Sequence, residues 1–512
     1  MEQVLWSTGA CALSLLFCAL ALALMLLTGK RQSHLPPGPK GLPMVGSLHR
    51  LGSRPHEALA ALAETHGSLM TLQLGFMTTV VVSSSEMAKE VLQKNDLVFG
   101  GRTVIEVLKM RSYPEGSLVW AQTGPRWRAL RRICTTQLFT PQRLDSLQAL
   151  RCQKVHEMVE LIRQAEPAVD IGRAAFVTSM NIISNMIFSA DMVNPNSGSA
   201  QEFRDVVWAI MEVAGAPNLA DYFPMLKALD PQGLKGRCNK LFGRLHQFLN
   251  VKIDERLQSR ERGGVDRGDF IDAILDSKQE NGVDFSRSEI LALLTVRHYP
   301  RLCYAENEKD LFVAGSDTSS TTVEWAMAEL LRNPDKMAMA NMELSRILGG
   351  PEHIMEELDI SRLPYLQSVV KETWRFHPPV PLLIPHRADA TVNVAGYIVP
   401  KHTQVLINYW AIGRDPKVWD NPTAFLPERF LGCNVDYKGK DFQFIPFGAG
   451  RRICPGLPLG VRMVHLILAS LLHYFDWGLP DGMKAEEMDM RDKFGVTLQK
   501  LVPLRVIPVQ SS

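Results

Sequence analysis

The sequence lacks CxxC pairs and has almost no excess of charge. Zinc sites and disulfide oxidoreductases place two cysteines at a short fixed spacing, and none of the eight cysteines has such a neighbour. Structural zinc and a disulfide framework are therefore not expected. Lysine and arginine total 56 against 54 aspartates and glutamates, and the basic residues are spread along the chain. This balance argues against a nucleic-acid partner.

Charged residues are also absent from Val4 to Leu27, a stretch rich in Leu and Ala. As a helix it is long enough to cross a hydrocarbon core of about 30 Å, so residues 1–29 are predicted to be a transmembrane anchor in a lipid bilayer. A cleaved secretory signal is the alternative, but it would have a basic start and a shorter apolar segment. Lys30 and Arg31 place the rest of the chain on the cytosolic side. Prolines and glycines predict a stiff hinge over residues 30–46.

Residues 47–512 are predicted to form one domain that is mainly α with a minor β part. Apolar and β-branched runs broken by Gly75 predict a hairpin within Ser68–Ser85. Strand-like and loop-like sequence returns between Val380 and Phe447. Apolar residues at helical spacing predict helices over Glu86–Leu92, Leu144–Ile162, Gln201–Val213, Lys235–Arg260, Ser316–Arg332 and Leu459–Phe475.

One cysteine stands in an unusual setting, the stretch FGAGRRICPG from Phe447 to Gly456. Arg451 and Arg452 precede Cys454, and their positive charge favours thiolate over thiol. The glycines of this stretch allow the backbone to approach another group closely. A thiolate held in this way can serve as a nucleophile or as a metal ligand, and no nearby motif supplies the base that a nucleophile needs.

The same stretch resembles the signature F-x-x-G-x-R-x-C-x-G of the cytochromes P450, the haem-thiolate monooxygenases. The fixed positions are Phe447, Gly450, Arg452, Cys454 and Gly456. The resemblance implies the cytochrome P450 fold, a single catalytic domain behind the anchor, and haem b as cofactor. It makes Cys454 the axial ligand of the haem iron. Phe447 and Arg452 are then haem-binding residues, with Arg452 paired to a propionate.

Two further motifs resemble haem contacts of the family. The sequence WRALR places Trp127 and Arg131 four residues apart, hence on one helix face, and matches the WxxxR pair whose side chains reach the propionates. His386 in LLIPHRA resembles another propionate contact. An amphipathic basic helix and a structural histidine are the alternatives when each motif is taken alone.

The pattern ExxR occurs four times, beginning at Glu160, Glu329, Glu343 and Glu372. An isolated ExxR predicts only a helical ion pair worth a few tenths of a kcal/mol. Order and spacing relative to Cys454 select Glu372 and Arg375 as the family's pair. Arg429 in PERF then implies a buried, structural Glu-Arg-Arg network.

The stretch AGSDTSS, from Ala314 to Ser320, resembles the oxygen-activating centre of the family's long distal helix. Ala314 and Gly315 leave room for dioxygen, and the helix can bulge there. The resemblance implies that Thr318 and Asp317 are catalytic and relay protons, so that the second oxygen atom leaves as water. The alternative is a local bend caused by Ser and Thr side chains that bond to the backbone.

A segment of fourteen residues, Val296 to Lys309, departs from the family pattern and brings Pro300 into that helix. A proline inside a helix costs about 3 kcal/mol or more. The segment is interpreted as an atypical insertion at 296–309, either a bulged loop or a retained intron. Asp310 to Leu331 would still supply several helical turns.

The motifs keep the family order along the whole chain and resemble plant microsomal enzymes that hydroxylate terpenoids, such as geraniol hydroxylases and grass diterpenoid hydroxylases. The resemblance implies an apolar small-molecule substrate, the endoplasmic reticulum membrane, and electrons from NADPH-cytochrome P450 reductase. Three further arginines of the WxxxR helix are candidate contacts for an acidic reductase surface, or simply a solvated basic face: Arg126, Arg128 and Arg132. Candidate pocket residues are Val104 to Tyr113, Ala314, Leu383, Ile384 and Val496.

Two alternatives to a monooxygenase remain open from the sequence. A haem-thiolate isomerase or dehydratase would work without a reductase, although such enzymes usually lack the pair formed here by Asp317 and Thr318. A haem-binding but catalytically inactive membrane protein would follow if the insertion disrupts the oxygen-activating helix.

Overall fold

The structure, a computed structural model, describes residues 34–109, 117–165, 168–194, 198–262, 268–272 and 310–510. The predicted anchor, the first residues of the hinge and the predicted insertion lie outside these residues. The helices are α1 Pro55–His66, α2 Ser85–Lys89, α3 Pro125–Leu138, α4 Pro141–Ser146, α5 Gln148–Arg163, α6 Ile171–Phe188, α7 Gly198–Gly215, α8 Leu219–Tyr222, α9 Leu234–Glu261, α10 Asp310–Arg332, α11 Pro334–Leu348, α12 Pro364–Phe376, α13 Tyr409–Ile412 and α14 Leu457–Tyr474. The strands are β1 Leu69–Leu74, β2 Met77–Val82, β3 Gly101–Arg102, β4 Val169–Asp170, β5 His386–Arg387, β6 Val392–Val394, β7 Tyr397–Val399, β8 Gln404–Ile407, β9 Phe475–Gly478, β10 Asp492–Lys493, β11 Gln499–Lys500 and β12 Arg505–Gln510.

The largest sheet has the strand order β1-β2-β8-β5-β3. Strands β1 and β2 form the predicted antiparallel hairpin, with Leu69 opposite Val82 and Leu74 opposite Met77. Gly75 turns the chain with φ 57°. A Cβ at this position would lie 2.6 Å from the carbonyl oxygen of Tyr222, so the turn requires glycine for its contact with α8 as well as for its conformation.

Helix α10 lies at the centre of the domain, along α6 and against α12 and α14. Helix α6 is buried on nearly all sides, which fits a mostly apolar sequence in which Arg173 is the one charged residue. Among the described residues, α14 is the one helix long and apolar enough to cross a bilayer, and 72% of it is buried inside the protein. It is therefore a core helix of the domain.

Most predicted helices are confirmed, including the expectation that the chain after residue 309 supplies several turns of its own, since α10 begins at Asp310. The single helix predicted over Leu144–Ile162 is wrong. The chain breaks at Leu147 into α4 and α5. The guanidinium of Arg151 donates to the carbonyl oxygen of Leu144 at 2.7 Å, which satisfies an acceptor that helix continuation would otherwise use.

The Glu-Arg-Arg network is confirmed on α12 and the turn Pro427–Phe430. Arg375 makes two hydrogen bonds to the carboxylate of Glu372, at 2.6 and 2.7 Å, and Arg429 adds a third at 3.2 Å. Glu372 and Arg375 are fully buried. Arg375 also donates to three backbone carbonyls of the segment that leads toward Cys454, those of Gly413, Pro422 and Ala424. The Glu372 carboxylate thus orients Arg375, and Arg375 holds a long irregular loop through its carbonyl groups.

Replacement of Glu372 tests this role. Glu372→Gln keeps the side-chain shape but leaves two buried guanidinium groups without a carboxylate, which should lower the free energy of unfolding by about 3–5 kcal/mol. Glu160→Gln is the matched control, because Glu160 and Arg163 have the same spacing but form an exposed pair, and it should cost at most about 0.5 kcal/mol. Urea unfolding followed by tryptophan fluorescence measures both. Equal losses would contradict the structural role of the network.

Candidate active site

Cys454 lies in a tight loop between the turn Gly450–Arg452 and the start of α14. Gly450 has φ 64°, and a Cβ there would meet the carbonyl oxygen of Leu92 at 1.9 Å. This close approach fixes the loop against the π-helical turn Glu90–Lys94. Burial raises the pKa of the Cys454 thiol, while the backbone N–H groups of Gly456 and Leu457 and the charge of Arg131 oppose that rise. Hydrogen-bond donors and a positive charge of this kind stabilise the thiolate form.

A cavity of about 320 Å³ separates the cysteine loop from helix α10. Cys454 and Phe447 line one side, and Ala314, Gly315 and Thr318 line the opposite side. Most of the remaining wall is apolar, with contributions from α6, α7 and the segment after α12. An apolar cavity with a few placed polar groups is the usual form of a small-molecule or cofactor site.

Three arginines, Arg102, Arg131 and Arg452, meet at one edge of the cavity. Their visible hydrogen bonds go to backbone carbonyls: Arg102 to Ile384 at 2.6 Å, Arg131 to Ile453 at 2.6 Å, and Arg452 to Gly100 at 2.9 Å and to Ala121. None forms an ion pair with a carboxylate in the described part of the chain, and Nη1 of Arg452 is buried without a partner. This edge is therefore short of negative charge.

The pKa values of Arg102 and Arg452 are lowered, as expected where negative charge is lacking. Burial, followed by the charges of Arg452 and Arg131, holds the pKa of Arg102 well below its usual value. Burial and the neighbouring Arg131 lower the pKa of Arg452 to about 10. Like charges held together out of water stabilise an anion placed between them. The two propionates of the predicted haem would be held at this edge by Arg102, Arg131 and Arg452.

His386 and Trp127 occupy different positions relative to the cavity. His386 lines it, and its Nδ1–H donates to the carbonyl oxygen of Phe99 at 2.7 Å. Burial and the charges of Arg102 and Arg452 keep the pKa of His386 well below its usual value, so the ring is neutral. Trp127 does not line the cavity: its indole N–H donates to Leu118 at 3.0 Å, and its ring lies 4.2 Å from the guanidinium of Arg452. Trp127 therefore packs against the guanidinium of Arg452 on the side away from the cavity.

Sequence reasoning missed Arg102 and Trp120, which both line the cavity. Arg102 lies on the two-residue strand β3, directly opposite His386 on β5. No spacing rule marks an arginine on so short a strand. Only the pairing of two segments that lie far apart in sequence brings Arg102 to the predicted haem contacts.

On α10, Thr318 faces the cavity and Asp317 does not. The hydroxyl of Thr318 donates to the carbonyl oxygen of Ala314 at 2.6 Å, as the alternative of backbone-bonded side chains predicts, and its oxygen can still accept a bond from the cavity. Asp317 is fully buried and accepts hydrogen bonds from Thr497 at 2.5 Å and from Gln499 at 2.9 Å. Burial raises the pKa of Asp317 to about 6.

The comparison with known proteins agrees with this geometry. A family model described as "Cytochrome P450" matches residues 36–503. The chain belongs to the cytochrome P450 family. Geraniol 8-hydroxylase of Catharanthus roseus is 49% identical over 499 residues, which cover 97% of this chain and 98% of the relative. Geranylhydroquinone 3''-hydroxylase of Arnebia euchroma is 42% identical over 485 residues, covering 94% and 95%.

The chain therefore has the cytochrome P450 fold and is a monooxygenase, and the resemblance found in the sequence is confirmed. A second geraniol 8-hydroxylase, that of Swertia mussotii, is 49% identical over 481 residues, which cover 93% of this chain and 94% of the relative. The relatives named here are hydroxylases, and neither the isomerase nor the inactive protein gains support. The family implies a haem iron, and the donor set at Cys454 and the arginine edge fits it.

Removal of one guanidinium from the arginine edge tests the fit to haem. Arg452→Leu should lose about 1.5–3 kcal/mol of haem-binding free energy, because one propionate loses a charged partner. The haem dissociation rate should then rise tenfold or more, as measured by transfer to apomyoglobin. Arg128→Leu is the control, since Arg128 is exposed on helix α3, which also carries Arg131 of the edge. Equal retention in both variants would contradict the assigned edge.

Proposed function

We propose that this cytochrome P450 hydroxylates a terpenoid, with an acyclic monoterpenoid alcohol such as geraniol as the first candidate. The observation that carries the proposal is the apolar cavity between Cys454 and Thr318. The named relatives act on geraniol or on geranylhydroquinone, which share a flexible apolar geranyl chain. Such a chain binds by burial of apolar surface, and a wall of Leu, Ile, Val and Phe side chains provides it.

Several predicted pocket residues support this assignment because they line the cavity: Leu108 from the segment Val104 to Tyr113, and Ala314, Leu383, Ile384 and Val496. Residues 110–113 lie outside the described part of the chain. The side chain of Leu383 enters from a backbone with φ 49°, a conformation that leucine rarely adopts. A strained residue at a cavity wall is held there by its surroundings, which favours a fixed pocket shape.

In the proposed reaction, one atom of dioxygen enters a C–H bond of the substrate and the other leaves as water, with two electrons and two protons consumed. Haem b, held through the Cys454 thiolate, supplies the redox chemistry when it is bound. The small residues Ala314 and Gly315 leave space next to it, and a Cβ at Gly315 would lie 2.6 Å from Cδ1 of Ile183, which would have to shift. Thr318 accepts and passes protons on this side of the cavity, and Asp317 is the proposed proton source.

The electrons would come from NADPH-cytochrome P450 reductase. Helix α3 supports a docking site on the cysteine side, because its Arg131 bonds to the residue that precedes Cys454. The same helix exposes Arg126, Arg128 and Arg132. A partner with an acidic surface would be attracted to this face, and salt would weaken the attraction.

Turnover in membranes tests the proposed function. Microsomes that contain the full chain and the reductase should convert geraniol to a hydroxylated product only when NADPH is present. Thr318→Ala should keep NADPH oxidation but yield about tenfold less product per NADPH, because a proton donor is lost, whereas Thr318→Ser should retain the coupling. A chain that binds haem through cysteine but oxidises no geranyl compound would contradict the substrate. Unchanged coupling in Thr318→Ala would contradict the relay.

Membrane association at the endoplasmic reticulum is also proposed, with the catalytic domain on the cytosolic face. Exposed apolar residues support it on the side where the chain continues from the predicted anchor. Val45 accepts a backbone bond from Gly75, and Phe76 bonds to Tyr222, which joins the hinge, the β1–β2 turn and α8 into one surface. Five exposed residues define this apolar face: Val45, Phe76, Leu219, Met225 and Leu229.

Lipid contact at the apolar face can be measured in nanodiscs that contain the full chain. A fluorescent label on Met225→Cys should be quenched by brominated lipids, because the side chain is 64% exposed on that face. The same label on Met342→Cys is the control, since Met342 is 60% exposed on α11, and it should not be quenched. Equal accessibility of the two labels to lipid would contradict the proposed orientation.

A further inference from the structure

The carboxyl group of Asp317 is held by the C-terminal segment of the chain and not by the oxygen-activating helix. Oδ2 accepts the hydroxyl of Thr497 at 2.5 Å, and Oδ1 accepts the amide of Gln499 at 2.9 Å. All three side chains are buried. About 180 residues separate the donors from the acceptor, so the contact belongs to the tertiary structure.

The segment that carries these donors also forms part of the cavity wall. Val496 lines the cavity, and the next residue is Thr497. The segment is tied to the protein by backbone bonds from Val496 to Met211 and from Leu498 to Pro379, and by the indole of Trp325, which donates to Leu498 at 3.1 Å. A ligand that contacts Val496 is therefore one residue from the group that holds Asp317.

The charges around Asp317 leave Thr497 and Gln499 as its principal stabilising contacts. After burial, which favours the neutral acid, these two donors have the largest effect on the pKa of Asp317, and both lower it. Arg204 on α7 and the indole of Trp208 lower it less. Arg204 is itself paired with Asp170 at 2.7 Å. Arg204 and Lys500 on β11 also act on the buried Glu324, further along α10, and both lower its pKa.

We propose that Thr497 and Gln499 are positioning residues that hold the carboxylate of Asp317 withdrawn from the cavity, so that the C-terminal segment controls when Asp317 can supply a proton to Thr318. The proposal rests on the proton relay in the proposed function. Two donors stabilise the ionised, withdrawn form. Once Asp317 takes up a proton, the neutral acid accepts these bonds less strongly and can leave them.

The titration of Asp317 tests the proposal without any turnover. In the full-length haem-loaded protein, the infrared band of the protonated carboxyl is assigned to Asp317 by its loss in Asp317→Asn. Thr497→Val and Gln499→Leu each remove a donor to the ionised form, so the carboxyl should keep its proton to higher pH. The midpoint should rise by about one pH unit in each variant.

A matched pair elsewhere supplies the control. Thr79 donates to Gln404 at 3.0 Å in a buried contact that includes no carboxylate, and Thr79→Val should leave the Asp317 band unmoved. The carbon-monoxide spectrum of each variant checks that the thiolate site is intact. The pH at which product per NADPH is highest should move upward with the infrared midpoint in Thr497→Val and Gln499→Leu, which a merely structural role would not produce.

Unchanged infrared midpoints in both variants would overturn the proposal, as would a shift of the same size in Thr79→Val. One further result would contradict only the proton relay. If Asp317→Asn kept full coupling of NADPH use to product while the infrared midpoints still rose in Thr497→Val and Gln499→Leu, Asp317 would not be the proton source. Thr497 and Gln499 would nevertheless position Asp317 as proposed. Failure of the positioning role and failure of the relay are thus separate outcomes.

Discussion

The arginine edge, formed by Arg102, Arg131 and Arg452, is the constraint on which the rest of the site depends. Buried charges of one sign raise one another's energy, and they are normally paired. Here the three guanidinium groups donate hydrogen bonds to backbone carbonyls and form no ion pair with a carboxylate of the described residues. Each positive charge is therefore hydrogen-bonded but not neutralised. A bound anionic group would supply the missing charge, and the two propionates of haem would carry it. Strand β3, helix α3 and the cysteine loop meet at this edge because each contributes one of the arginines, and strand β5 places His386 opposite Arg102.

In the network at Glu372, in contrast to the arginine edge, the arginines are paired with a carboxylate of the chain. Arg375 and Arg429 share one carboxylate and fill their remaining donors with loop carbonyls, so that the cluster is satisfied by the chain itself. It can therefore stabilise the irregular segment before Cys454 whether or not haem is bound. The two clusters therefore have different roles. The Glu372 network holds the loop in place, and the arginine edge leaves an excess of positive charge that favours binding of the anionic cofactor. Asp389 acts on Arg452 through its charge but is paired with Arg387, and a carboxylate bonded directly to Arg452 would have removed that imbalance and with it the selectivity for an anionic ligand.

The parts of the site that the sequence predicted are those in which the chemistry lies within a few consecutive residues. The cysteine loop, the Glu-Arg-Arg order and the position of α10 belong to this class, because local spacing and chain order carry them. Contacts between distant segments were not predictable: Arg102 opposite His386, and Asp317 with Thr497 and Gln499. The break at Leu147 was missed for a similar reason, since a side chain from the following helix satisfies the carbonyl that marks it. The WxxxR spacing put Trp127 and Arg131 on one face of α3, but spacing alone could not show that the Trp127 ring packs against the guanidinium groups of Arg131 and Arg452 and does not line the cavity.

Helix α10 separates the two proposed parts of proton transfer by geometry. Consecutive residues of a helix point about 100° apart, and here Thr318 lines the cavity while Asp317 points into the protein toward Thr497 and Gln499. An acid that lined the cavity directly would be available to any reduced oxygen species there, at any time. An acid held outside it by Thr497 and Gln499 can contribute only after it is released. Since Val496 belongs both to the cavity wall and to the segment that holds the acid, substrate contact and the proposed proton supply would be linked through one short stretch of backbone. Such a link would favour proton delivery when a substrate fills the cavity, which is the condition under which reduction of dioxygen gives product.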